Sequence, residues 1–286
     1  MPGVETVGIV SKPGIEGASD IVSELLHWLA QHGIKVRCDE ETARYASVPG
    51  GLPREQVPDG AQLVIVLGGD GTLLSAARAL NGREIPLFPV NLGGLGFLTA
   101  ITLDDLYPQL ERALRGEQRI APRRMLKCEL VRGETTMGSY QALNDVVLTK
   151  TEIARMLDVK VLVDDHFVAT FKADGLIVCT PTGSTAYSLS AGGPIIFPAV
   201  GALCITPICP HMLTNRPVVV PDTSTIQIIN LAEDHDAYLT VDGQVGQHLI
   251  KNDRILCRSS GSIALVRPPK MMFFDVLRQK LKWGER

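Results

Sequence analysis

The residues Gly68-Gly69-Asp70-Gly71-Thr72 set one carboxylate inside a run of glycines, directly after the apolar run Leu63-Val64-Ile65-Val66-Leu67. Where an apolar strand hands over to a helix at such a turn, the helix presents unpaired backbone N–H groups and its positive dipole end. Glycines let an anion approach the backbone with no Cβ in the way and permit positive φ. The turn therefore reads as a phosphate cradle, although it is neither GxxxxGK[ST] nor GxGxxG. A carboxylate among phosphates is electrostatically unfavourable unless it holds a metal or takes a proton from an attacking hydroxyl. The plain alternative is an Asp-Gly turn chosen for its tolerance of left-handed geometry.

Other stretches carry groups suited to the same kind of ligand. Asn91-Leu-Gly-Gly-Leu-Gly-Phe-Leu-Thr99 is a second glycine turn, with Gly93, Gly94 and Gly96 at its centre. Asn144-Asp145 precedes Val146-Val147-Leu148; alone, such a pair is most simply a turn. From Asp174 to Pro194 a buried strand, Leu176 to Cys179, leads into Pro181-Thr-Gly-Ser-Thr185. That loop is dense in hydroxyl and backbone donors, which suits a ligand rich in acceptor oxygens, and Tyr187 can stack on a base. Asp242-Gly243-Gln244 follows a late strand. His211 reads as a structural histidine, Arg216 as a partner for an acid or a phosphate, and Arg155 and Lys172 most simply as solvated charges.

These residues need a frame. Apolar runs at Val7–Val10, Ile34–Arg37, Gln62–Leu67 and Pro86–Val90 read as strands. Helical patterns fall at Ser19–His32, Leu73–Leu80 and Leu103–Arg115, with Ser19 as a cap and Gly33 as a stop. Residues 39–60, rich in proline and glycine, read as a long loop. The fold class expected is an α/β N-terminal domain with an open parallel sheet, over residues 1–118. Residues 119–268 read as a β-rich domain, with strands at Lys127–Val131, Ala142–Leu148, Asp158–Val163, Gly175–Cys179, Val218–Val220, Ile226–Leu231, Ala237–Val241 and Arg254–Arg258 and a short helical pattern at Thr185–Leu189. Residues 269–286 form a last segment whose helix, Phe273–Trp283, is expected to pack back on the first domain, because a solitary amphipathic helix is marginal.

Composition narrows the class. Of 286 residues 45% are hydrophobic and 21% charged, enough to bury sizeable cores. The net charge of −3 argues against a nucleic-acid surface, which needs a basic stripe. Six scattered cysteines, without zinc-like spacing, read as buried free thiols. Met1 to Lys12 has no apolar signal core, and no run approaches the ~18 apolar residues of a membrane span. No membrane partner is expected, and the cytoplasm is the expected compartment.

Taken together, the motifs resemble those of a known family. Gly68–Thr72 is similar to the GGDGT signature shared by NAD kinases, diacylglycerol and sphingosine kinases and 6-phosphofructokinases. Asp174 to Pro194 resembles, nearly residue for residue, the DGxIxxTPTGSTAYxxSxGGP hallmark of NAD kinases. Asn91–Thr99 resembles their NxGxxGFL(T) segment, Asn144-Asp145 their Asn-Glu/Asp pair, Pro210–Pro217 their Pro-His-x-Leu-x-x-Arg-Pro segment, and Asp242–Gln244 their DGQ. Many members carry Glu where Asp145 stands, which is one methylene shorter. The resemblance spans Val7 to Trp283.

It implies an enzyme that moves a phosphoryl group from ATP or polyphosphate, with Mg²⁺ or another divalent cation, to the adenosine ribose 2′-hydroxyl of NAD, giving NADP. It implies that Gly68, Gly69, Gly71, Thr72, Gly93, Gly94 and Gly96 meet the donor phosphates, and that Asp70 is the catalytic base. NAD would be held by Asp70, Gly71, Asn144, Asp145, Arg155, Lys172, Asp174, Thr185, Ala186, Tyr187, Ser188, Leu189, Ser190 and Gln244, and no protein residue is singled out as a metal ligand. A homodimer or homotetramer is implied. The alternatives are another GGDGT kinase and a non-catalytic NAD or NADP sensor. A dehydrogenase is disfavoured, since no GxGxxG follows Val7–Val10.

Overall fold

A strand can be apolar along its whole length where both faces of its sheet are covered, as helices cover those of a parallel sheet. The first of the chain's two units is built that way. The computed structural model describes residues 4–94, 96–151, 156–232, 237–268 and 272–283. Its units are Met1–Pro122 together with Ile263–Arg286, and Arg123–Ser262.

In the first unit β1 (Thr6–Ser11), α1 (Ala18–Gln31), β2 (Lys35–Cys38), α2 (Glu40–Tyr45), β3 (Leu63–Leu67), α3 (Asp70–Leu80), β4 (Leu87–Val90) and α4 (Leu106–Leu114) follow one another. The strands lie in the order β2-β1-β3-β4, every neighbouring pair parallel. All five residues of β3 are buried. Val7, Ile9, Leu25, Leu29, Ile65, Phe88 and Leu110 share one core. The α1 helix contributes Ala18, Val22, Leu25 and Leu29, the spacing of one helical face.

Two expectations for this unit are corrected. Ser19 does not cap α1; Gly17 does, in left-handed geometry and without a side-chain bond. Residues 39–60 are not a plain loop. Asp39 opens α2, its carboxylate accepting from Thr42 N at 2.9 Å and Thr42 Oγ1 at 2.6 Å, and a 3-10 turn covers Arg54–Gln56. A helix of six residues is too short for its period to show among prolines and glycines.

The second unit is built from strands and one short helix: β5 (Arg119–Arg132), β6 (Thr135–Ala142), β7 (Asp145–Lys150), β8 (Leu157–Val163), β9 (His166–Ala173), β10 (Gly175–Cys179), α5 (Tyr187–Ser190), β11 (Ala202–Ile208), β12 (Val218–Pro221), β13 (Ile226–Asn230), β14 (Ala237–Val241), β15 (Val245–Leu249) and β16 (Arg254–Arg267). One antiparallel sheet runs β12-β11-β10-β7-β14-β15. A second antiparallel array joins β16, β13, β8 and β9, and β5 pairs with β6. Leu126, Val146, Leu148, Val159, Leu176, Ile228 and Leu239 belong to one shared core.

The sequence reading omits β6, β9, β11 and β15 and stops β16 at Arg258. Polar Ser259-Ser260-Gly261-Ser262 interrupts the apolar run there, yet the strand continues. Its last residues belong to the first unit, where Leu265 pairs in parallel with Leu87 of β4. The α6 helix (Phe273–Leu281) follows, with Val276 and Leu277 buried. The cysteines are free thiols, but Cys209 is exposed and Cys38 half-buried, not all interior as expected. Among the described residues no helix is long and apolar enough to cross a membrane.

Candidate active site

Asp70 is the first residue of α3, and Gly69 before it has no side chain to cap the opening N–H groups. The glycine turn therefore leaves the helix start to the backbone and to whatever approaches it. Gly68 has φ +157, and a Cβ there would lie 2.6 Å from Thr72 Oγ1. Thr72 is buried beneath the turn, while Gly71 is exposed.

The Asp70 carboxylate reaches into the second glycine turn. Its Oδ1 accepts from Leu98 N at 3.1 Å, Thr99 N at 3.1 Å and Thr99 Oγ1 at 3.0 Å, and its Oδ2 from Phe97 N at 2.9 Å. The fit demands glycine at position 96, where a Cβ would lie 2.2 Å from Asp70 Oδ1. Asn91 closes the same turn, accepting from Gly93 N at 2.8 Å and donating to Gly94 O at 2.9 Å. Thus Gly68–Thr72 and Gly93–Gly96, far apart in sequence, are joined through one carboxylate.

Arg267 backs this turn. Its guanidinium donates to Leu98 O at 2.8 Å and Phe97 O at 3.3 Å. Burial pulls the guanidinium below its ordinary value, and the charge of Asp70 pushes the other way. Beside α3 a cavity of about 540 Å³ is lined by Asp39, Arg54, Ser75 and Arg78 among others. Arg54 spans part of it, donating to Asp39 Oδ2 at 2.8 Å and Ser75 Oγ at 2.8 Å.

In the second unit Asp242 organises the Asn144-Asp145 corner. Its carboxylate accepts from three consecutive backbone groups, Leu143 N at 3.0 Å, Asn144 N at 2.8 Å and Asp145 N at 3.1 Å. Asp145 is buried, and its carboxyl is pushed up to about 7, first by desolvation and then by the Asp242 charge. The loop after β10 docks on the same corner. Thr180 N donates to Asn144 O at 2.9 Å, and Thr180 Oγ1 donates to Leu143 O at 2.6 Å. A Cβ on Gly183 would lie 2.1 Å from Asn144 O.

The remaining expected residues are not all brought to that corner: Thr185 to Ser190 continue the loop docked on it, whereas Lys172 and Asp174 lie at the opposite end of the β7–β10 pair, where Gly175 faces Thr149 while Cys179 faces Asp145. Thr185, Ala186 and Leu189 are half-buried, Tyr187 and Ser190 exposed. Ser188 is buried, its hydroxyl 2.9 Å from that of Thr206. Asp174 pairs with Lys150 at 2.6 Å. Lys172 is exposed on β9, and its carbonyl accepts from His211 N at 2.8 Å. Gln244 is exposed in the turn after β14. Arg216 donates to Leu213 O and Asn215 O, carbonyls of its own turn. Arg155 lies outside the described residues.

Comparison with known proteins assigns the chain to a family. Residues 7–118 match the model of the ATP-NAD kinase N-terminal domain and residues 143–267 that of the ATP-NAD kinase C-terminal domain. The chain belongs to the NAD kinase family. Its members are kinases that transfer phosphate to NAD. It is 62% identical to the NAD kinase of Solibacter usitatus (strain Ellin6076), over all of both chains, and 50% identical to that of Koribacter versatilis (strain Ellin345), over 99% of this chain and 100% of the other. Among solved structures it is similar to a yeast NADH kinase complexed with NADH, at 26% identity and a TM-score of 0.91, covering 99% of this chain and 89% of that one. It is also similar to an NAD kinase from Archaeoglobus fulgidus in complex with ATP, at 25% identity and a TM-score of 0.78, covering 97% and 98%. In this member of the NAD kinase family, four residues not among the expected site residues support others: Thr99 and Thr180, which stand inside the quoted motifs, and Lys150 and Arg267, which stand outside them. No local signal marks Lys150 or Arg267, because each acts through a partner distant in sequence.

Proposed function

We propose that this NAD kinase family member phosphorylates the 2′-hydroxyl of the adenosine ribose of NAD, with ATP or polyphosphate as donor, to give NADP. The observation that carries the reading is the state of the Asp70 carboxylate. Three donors saturate Oδ1 and one reaches Oδ2, so Oδ2 keeps capacity for a further hydroxyl donor. The 2′-hydroxyl donates to Oδ2 and gives up its proton there as its oxygen bonds the terminal phosphorus. The bond from that phosphorus to its bridging oxygen breaks, and the shortened donor leaves with the electron pair. Gly68, Gly69, Gly71, Thr72, Gly93, Gly94 and Gly96 cradle the donor phosphates, and the cavity beside α3 is of a size that suits the donor's nucleoside.

Asn144, Asp145, Arg155, Lys172, Asp174, the run Thr185 to Ser190 and Gln244 hold NAD, together with Asp70 and Gly71. The Ser188 hydroxyl is buried against Thr206, which fixes the run Thr185 to Ser190 on β11. Among the described residues no group of three His, Cys, Asp or Glu side chains could hold a metal. The divalent cation would come in on the donor phosphates, as Mg²⁺ commonly does at phosphate-transfer sites, with Asp70 the acidic side chain in the glycine turns. When bound, the ion neutralises phosphate charge. Exposed Phe167, Met212 and Leu213 support self-association as a homodimer or homotetramer, checked by light scattering, and the free thiols suit the cytoplasm.

The test is incubation with MgATP or polyphosphate and NAD, read by an NADP-specific dehydrogenase. NADP is expected with at least one donor; its absence with both refutes the reading. A positioned base contributes ~10²–10⁴ in rate, so Asp70→Asn is expected to lower kcat by about that factor while NAD still binds by calorimetry.

A further inference from the structure

We propose that Arg267 is a positioning residue for phosphoryl transfer: it locks two peptide groups that in turn fix which oxygen of Asp70 is available to the ribose hydroxyl. The inference rests on the reading of Asp70 as the base. The two peptide groups are Phe97–Leu98 and Leu98–Thr99. In the first, the carbonyl of Phe97 accepts from Arg267 at 3.3 Å while the N–H of Leu98 donates to Asp70 Oδ1 at 3.1 Å. In the second, the carbonyl of Leu98 accepts from Arg267 at 2.8 Å while the N–H of Thr99 donates to Asp70 Oδ1 at 3.1 Å. A trans peptide is planar, with C=O and N–H opposed. Holding the oxygen therefore aims the hydrogen.

Both peptide dipoles thus lie between a cation and an anion, each end satisfied. Arg267 is 6% exposed. A charge so buried is costly unless paired and hydrogen-bonded, and here it meets two carbonyls and the field of Asp70. A single nitrogen, Nη1, makes both bonds, so an ammonium placed there could keep part of the contact. The place of Arg267 follows from β16, because Leu265 pairs with Leu87 of β4 and the chain leaving β4 forms the second glycine turn.

Without Arg267 the two peptides are free to turn their carbonyls elsewhere, and Oδ1 loses two of its three donors. The carboxylate then rotates, and the hydroxyl no longer finds Oδ2 in a fixed place. Misplacement of about 1 Å can cost ~10²-fold in rate, and the loss falls on turnover, since Arg267 meets the turn's peptide groups.

The test is a double-mutant cycle on the full chain. Arg267→Met is expected to lower kcat about 10-fold to 100-fold, with KM for NAD changed by no more than about twofold and partial recovery in Arg267→Lys. In the Asp70→Asn background the same Arg267 substitution is expected to leave the residual kcat unchanged, because the group it acts through is gone. An equal fold-loss in both backgrounds overturns the proposal, as does wild-type turnover in a folded Arg267→Met. If Arg267→Met does not fold, the cycle is run with Arg267→Lys, with the same two outcomes. A wild-type chain that makes no NADP refutes the function and this role together, whereas NADP formation with an additive cycle refutes this role alone.

Discussion

Gly96 stands where any side chain would meet a carboxylate oxygen, 2.2 Å from a built Cβ. Gly96→Ala therefore leaves two outcomes for the local structure, a turn pushed outward or an Asp70 pushed off its donors. Either disturbs the carboxylate proposed as the base, so kcat is expected to fall about 10²-fold with the NAD dissociation constant little changed, a split that steady-state kinetics and calorimetry resolve. Asp145 presents a different kind of sensitivity. Its carboxyl stands at about 7 in the folded protein against 3.8 when free, so the folded state holds a proton the unfolded chain has released. Stability from this group is complete below about pH 4 and is lost as pH rises through about 7. Asp145→Asn is expected to flatten that decline, raising the thermal midpoint at about pH 8 more than at about pH 5; equal shifts at both would contradict it. Asp70, Asn144 and Asp145, to which the proposed function gives roles, are legible in sequence because glycine and hydroxyl-rich neighbours mark their loops. Arg267 is not, for its partner carbonyls lie 169 and 170 positions away and a late-strand arginine looks like its surface neighbours Arg254 and Arg258.

Among elements, β10 lies between β7 and β11 and is buried at every position. Gly175 opens it under the carbonyl of Leu148, 2.2 Å from a built Cβ. Gly175→Ala is expected to destabilise by about 1–3 kcal/mol as an overpacked core site, measured by denaturant unfolding. The loop after β10 is pressed on the same sheet by Gly183, whose neighbour is backbone and cannot rotate away; Gly183→Ala is expected to raise KM for NAD more than it lowers kcat. Strands such as β3 and β10 are legible since continuous apolar runs have one reading. β9 and β15 are not, because exposed Phe167 and Val168, or Gln247 and His248, give no clean alternation. β11 hides behind Pro207, which pairs with Leu176 despite lacking a donor. The short α2 depends on Asp39 and Arg54, a tertiary contact and not a periodic pattern.

For the whole molecule, the two units keep separate cores, and NAD binding should be visible as stabilisation. Ligand at 100 times its dissociation constant adds about 2.7 kcal/mol, so the thermal midpoint is expected to rise with NAD in wild type and, by a smaller amount, in Asp70→Asn, which loses one of the proposed NAD contacts; no rise in either would contradict the binding roles given above. The bipartite plan is legible in sequence as a change from alternating helices and strands to strands alone. The route of β16 is not, because a polar interruption conceals its length.

That route sets an order of events at the ribosome. Ile263–Arg267, which adds the strand beside β4 and carries Arg267, is synthesised after the entire second unit. At roughly 5–20 residues per second, the glycine turns emerge many seconds before the cation that braces them. Until then β4 has an open edge, a template for wrong pairing. A nascent chain therefore holds its two glycine turns before it holds the arginine that braces them.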